Sequence, residues 1–236
     1  MNKTPLRSAN SANRHVAGGN HPESFFRDFE NSAYKQFSVH TYPAYATVFH
    51  QDAPANAVYL AEHGVVKLVR VAPNGYHVII GLRRRHWMIG APAVLIEKPY
   101  SYTCITLVPS SLRIIPAKDF LDLANGSKEF SWYLLQIFSR EIFNQMKKVE
   151  AMGCMSAQER LEQFLCDMRD ELNPVGAEPA CVSLPLNNKE LAQLLAITPE
   201  HLCRVLKEME QKGIIRRDHG ILTVIDHEGL KQNNLH

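Results

Sequence analysis

The run from Leu186 to Gly213 leaves this chain little freedom, because it spells two short helices separated by a tight turn. Asn187 and Glu190 stand at the spacing at which a cap side chain and an acidic side chain satisfy each other's free backbone donors. Leu191, Leu194 and Leu195 follow on one helical face. Ala196-Ile197 predicts the turn. Thr198 is a natural N-cap, Pro199 suits the first helical position, and Gly213 suits the left-handed residue beyond the end. At about 100° per residue, Leu202, Val205, Leu206 and Met209 gather on one side of the second helix. Glu200, Arg204, Lys207 and Gln211 form a narrow stripe on the other side. The apolar face ties such a helix to its domain and leaves the stripe to enter a major groove. There an Arg fork bonds guanine O6 and N7, Glu accepts from cytosine N4, and Lys meets phosphate.

Ile214 to Arg217 predicts a strand, Asp218-His219-Gly220 a turn and Ile221 to Ile225 a second strand. A hairpin directly after a recognition-type helix is a wing, with Arg216 and Arg217 placed for the phosphate backbone. The order predicts a winged helix-turn-helix domain over residues 154–236.

A chain of 236 residues has room for two modest domains, each with its own core. The net charge is only +2, so a nucleic-acid partner is argued from where the charges sit rather than from their number. Five scattered cysteines without CxxC spacing fit reduced thiols and a cytoplasmic setting. No apolar run is long enough to cross a bilayer, so no membrane partner is expected. Residues 1–22 are rich in Asn, Ser, Ala and Gly without an apolar core segment; they predict a disordered tail rather than a secretory signal.

Residues 23–126 predict an all-β domain, a jelly roll or barrel, from short apolar stretches punctuated by turns. These are Ala46 to Phe49, Ala57 to Leu60, Val65 to Val71, Tyr76 to Leu82, Tyr102 to Val108 and Ser111 to Ile115. Residues 127–153 predict one long helix. Leu135, Phe138, Ile142, Gln145, Val149 and Met152 recur by alternating steps of three and four, a coiled-coil seam about 27 Å long. A seam between two compact domains predicts a parallel homodimer. Ser156 and Glu159 form a second capping box, opening a helix with Leu161, Phe164, Leu165 and Met168 inward. The fold class is therefore α+β.

Barrel, long helix and winged helix-turn-helix, in this order, resemble the CRP/FNR superfamily of bacterial transcription factors, from about residue 25 to 230. The resemblance is most specific in Leu186–Gly213 and in the glycine-punctuated barrel around Gly64 and Gly90. It implies a cyclic-nucleotide-binding-like barrel, a dimer on double-stranded DNA and contact with RNA polymerase. It also implies base contacts from Glu200 and Arg204, with Pro199 and Cys203 at neighbouring variable positions. Asn187, Asn188 and Thr198 fall near phosphates, and Lys207 joins Arg216 and Arg217 as a backbone contact.

Members that bind cyclic AMP carry Gly-Glu and then Arg-Ser or Arg-Thr. This chain has Gly90-Ala91, and no Arg precedes Ser101 or Thr103. The pocket so outlined, Gly90, Ala91, Ser101 and Thr103, lacks the charged partner of a cyclic phosphate, so the effector is unknown and not expected to be cyclic AMP. Arg83-Arg84-Arg85 reads as a solvated strand ending. Residues 1–103 contain no cysteine, against an iron–sulfur cluster of the family's oxygen-sensing type. Haem stays open with eleven histidines, although His77 and His86 flank strands and His63 sits in a turn. His201 and Cys203 fall on the DNA-facing half of a helix, and no metal site is read. No nucleophile elbow, phosphate loop or HExxH occurs, so no enzyme is expected. The alternative is a regulatory module acting through protein contact; the charged stripe opposes it, because charge is depleted at the cores of protein interfaces.

Overall fold

Between Val39 and Pro116 the turn signals resolve into eight described strands on two facing antiparallel sheets. The computed structural model describes residues 36–172, 181–182, 186–218 and 221–225. The expected tail over 1–22, the first part of the barrel segment over 23–35, the wing turn at His219-Gly220 and the residues beyond Ile225 lie outside these. One sheet has the order β1 (Val39–Tyr42), β8 (Ser110–Pro116), β3 (Ala57–His63) and β6 (Met88–Ile89). The other runs β2 (Thr47–Phe49), β7 (Thr103–Thr106), β4 (Val66–Val71) and β5 (His77–Arg83). Phe49, Ala61, Val66, Leu68, Ile89, Tyr100, Cys104 and Leu112 fill the space between them. His63 closes β3 rather than sitting in a turn. The turn that follows needs a glycine: Gly64 has φ +92°, and a Cβ there would lie 2.2 Å from the Ser110 hydroxyl oxygen.

A bulge sits in the β4–β5 ladder. Leu68 pairs with Gly81 but Val69 pairs with Ile79, so Ile80 is one residue too many on β5. The extra residue keeps Ile79 on the outer face beside Val69. The Ile80 carbonyl instead accepts a hydrogen bond from Lys148 Nζ at 3.4 Å.

Short helix α1 (Ala91–Leu95) and α2 (Ala117–Gly126) lead to the long helix α3 (Lys128–Cys154). Ser127 caps α3 by accepting from the Phe130 amide at 3.1 Å. The first turns of α3 bury Phe130, Tyr133 and Leu134, with Phe130 edge-on to Phe120 at 5.7 Å. Beyond them the helix presents Leu135, Ile142, Phe143, Met146 and Val149 to solvent, each about 60% exposed.

Two of the three arginines ending β5 correct the expectation of a solvated strand end, because α3 and α4 (Ala157–Leu172) cover it. Arg83 pairs with Glu141 of α3 at 2.5 Å and lies 4.3 Å over the Trp87 ring. Arg84 approaches the Met168 sulfur of α4 at 3.1 Å. Arg85 is exposed.

Helices α4, α5 (Asn188–Leu194) and α6 (Pro199–Gln211) share a core with β10 (Ile215–Asp218) and β11 (Ile221–Val224); β9 (Cys181–Val182) pairs with β11. Leu161, Leu165, Leu202, Leu206 and Met209 lie at its centre, each side chain contributing about 1.5–3 kcal/mol of burial. This head is docked on the outer face of the β4–β5 sheet: Leu194 packs on Val69 and Ile79, with Leu82, Ile105, Phe164 and Leu186 around them. Lys67 and Glu190 form an ion pair across the same contact, both side chains largely buried. Among the described residues no helix is long and apolar enough to cross a membrane.

Candidate nucleic-acid interface

Helix α5 begins on the reciprocal cap expected from its sequence. Asn187 accepts from the Glu190 amide at 2.9 Å, and Glu190 accepts from the Asn187 amide at 3.0 Å. Leu191, Ala192 and Leu194 bury its inner face. The turn is made by Ala196 at φ +54°, a left-handed conformation that an alanine adopts at a cost of about 1 kcal/mol. Thr198 then caps α6 by accepting from the His201 amide at 3.2 Å, and Pro199 follows in the first turn. Leu202, Val205, Leu206 and Met209 are buried, so the angular position of α6 is fixed by packing.

That packing decides what faces outward. Pro199, Glu200, Cys203, Arg204, Lys207 and Gln211 are all exposed, together with His201 and Glu208. Asn187 and Asn188 are exposed at the start of α5, where free backbone donors and the helix dipole favour an anion. Asn188 Nδ2 reaches Cys203 Sγ at 3.9 Å, linking the two helices across the turn. Arg216 on β10 is exposed. Arg217 is partly committed: its guanidinium pairs with Glu210 at 2.5 Å, and its amide donates to the same carboxylate at 3.2 Å. Hydrogen bonds from Arg217 hold the Glu210 carboxyl below the usual carboxylate range.

Lys189 and Lys212 are further exposed cations on this side of the sequence, at the first turn of α5 and just past α6. They lie outside the apolar periodicity that organised the sequence reading, so only their exposure brings them forward. The ties of Glu190 to Lys67 and Glu210 to Arg217 also escaped it, since neither pair shares a helix.

The expected effector pocket is distributed differently. Gly90 and Ala91 are buried at the start of α1, Ser101 is exposed, and the Thr103 hydroxyl oxygen accepts from the Gln51 amide at 2.9 Å. The interior beside Gly90 holds Tyr100, Tyr102, Tyr59 and Phe49. Burial pushes the Cys104 thiol there up to about 12. Cys154 and Cys203 are exposed free thiols. Among the described residues, no three of His, Cys, Asp and Glu gather to hold a metal ion. Of the seam residues, Leu135, Ile142, Gln145, Val149 and Met152 are exposed, while Phe138 is partly covered by its own chain.

A β-sandwich joined by a long helix to a winged helix-turn-helix defines a class of DNA-binding regulators. Residues 39–127 match the cyclic nucleotide-binding domain, and residues 159–233 match the Crp-like helix-turn-helix domain. The chain belongs to the CRP/FNR family of transcription regulators. It is similar to the transcriptional regulatory protein btr of Bordetella pertussis, 23% identical over 79% of this chain and 76% of that protein. It is also 23% identical to the global nitrogen regulator of a Nostoc species, over 80% of this chain and 86% of that one. Among solved structures it resembles FixK2 of Bradyrhizobium japonicum, with a TM-score of 0.73 and 18% identity over 84% of this chain and 96% of the other. The c-di-GMP-responsive regulator CLP of Xanthomonas campestris gives 0.70 and 18% over 86% and 99%. The relatives are transcription regulators rather than enzymes, and so is this chain.

Proposed function

We propose that the chain works as a homodimer reading an inverted-repeat operator with α6. The exposed stripe of Glu200, Arg204, Lys207 and Gln211, backed by a face that is wholly buried, carries this reading. Glu200 and Arg204 address base edges, with Pro199 and Cys203 beside them; Asn187, Asn188, Thr198, Lys207, Arg216 and Arg217 address the backbone. Self-association is supported by α3, whose Leu135, Ile142, Val149 and Met152 face solvent in the single chain. A second copy covers that apolar stripe along a two-fold axis and sets the two recognition helices about 34–36 Å apart. RNA polymerase is the further partner that the family membership suggests, and the cytoplasm is the setting.

Selection of bound sequences from random DNA, run with and without a small-molecule extract of bacterial cells, tests the reading. Enrichment of a two-fold symmetric site is the expected outcome. Absence of enrichment in both arms, by folded dimeric protein, refutes it.

A further inference from the structure

One group inside the barrel has no part in reading DNA. Tyr100 stands in the loop before β7 yet is only 3% exposed. Its ring stacks on Phe49 with centroids 3.8 Å apart. Its hydroxyl donates to the Ala57 carbonyl at 2.6 Å and accepts from the Ala57 amide at 3.3 Å. Gly90, at φ +85°, makes room: a Cβ there would lie 2.8 Å from the Tyr100 ring. Tyr102 completes the group by accepting the Gly90 amide at 3.1 Å.

A stacked phenol whose hydroxyl meets both polar groups of one residue's backbone, with a glycine cleared for its edge, is how a protein seats a small aromatic ligand. Here the phenol is covalently part of the chain. It bridges β2, β3 and the start of α1, and so joins both sheets. Separately, Arg83 of β5 and Glu141 tie the barrel to α3.

We propose that Tyr100 is the barrel's built-in ligand, filling the interior as a diffusible effector would and holding the chain in its DNA-binding form without one. The proposal rests on the operator-binding reading above, and it extends that reading to how binding is controlled.

The first test uses the full-length protein, unfolded, dialysed free of small molecules and refolded. It is expected to bind its selected site as tightly as the untreated protein, with or without added cyclic AMP or p-cresol. The second uses Tyr100→Ala, which leaves a phenol-shaped space. Folded variant is expected to lose about tenfold or more in operator affinity, as its binding-competent fraction falls, and to regain it when p-cresol is supplied.

Three results overturn the proposal: a stripped wild type that binds only after extract is added, a folded variant that binds like wild type, or a folded variant that p-cresol does not restore. The stripping arm uses no variant and decides the matter if Tyr100→Ala does not fold. Failure here is also distinct from failure of the regulator reading. A site selected only with extract removes the built-in ligand alone, whereas no site in either condition removes both.

Discussion

In the proposed reading Arg204, exposed on α6, is the residue best suited to read sequence, because a guanidinium offers two parallel donors to one guanine edge. Arg204→Ala is expected to cost about 1–3 kcal/mol of discrimination between operator and random DNA while leaving fold and dimer intact. Competition binding measures this, and undiminished discrimination removes Arg204 from the base-reading set. Glu210 works in the opposite sense, since its carboxylate neutralises a wing arginine. Its carboxyl is held below its unfolded value, so the tie is fully present above that value and is lost as pH falls through the depressed one. At neutral pH, Glu210→Ala therefore frees Arg217 for phosphate and should steepen the salt dependence of DNA binding by about one ion. An unchanged salt slope would mean that Arg217 does not reach the backbone. The stripe itself was legible in the sequence because helical periodicity assigns every residue a side. Arg217's partner was not, because it lies on another element, and neither was the burial of Arg83, whose cover comes from a helix fifty-eight residues away.

Elements with caps or long periods were the ones the chain declared. The caps at Asn187, Ser156 and Thr198 all form, and α3 runs through the whole expected seam. What went unread was short: β1, the two-residue strands β6 and β9, and the five-residue helix α1. Pieces of that length show neither a period of two nor one of 3.6, and their neighbours in space determine them. Two expectations belong to this scale. Asn187→Ala removes the acceptor of the Glu190 amide and should destabilise the head by about 1 kcal/mol, read by chemical denaturation. Ile142→Glu places a charge in the middle of the seam and should leave a folded monomer in sedimentation experiments. Continued dimerisation would put the interface on another surface. The stripe on α3 is wider than the seam read from spacing, since Phe143 and Met146 are as exposed as Ile142.

Across the whole molecule, the DNA-binding head and the barrel meet through Leu194, Val69 and Ile79 and through the buried pair of Lys67 and Glu190. No local pattern announces a contact between residues so far apart in the chain. Ile79→Asp alters only the outer wall of the barrel, yet it should change operator affinity by undocking the head. Band-shift titration checks this, and an affinity equal to wild type would show that the docked arrangement plays no part in binding. The supernumerary residue Ile80 gives this contact its mechanical character. It turns Ile79 toward the head and its own carbonyl toward Lys148 on α3. One strand thus works as a joint with two arms. A slip of a single residue along β5 would disturb the contact with the head and the contact with α3 together.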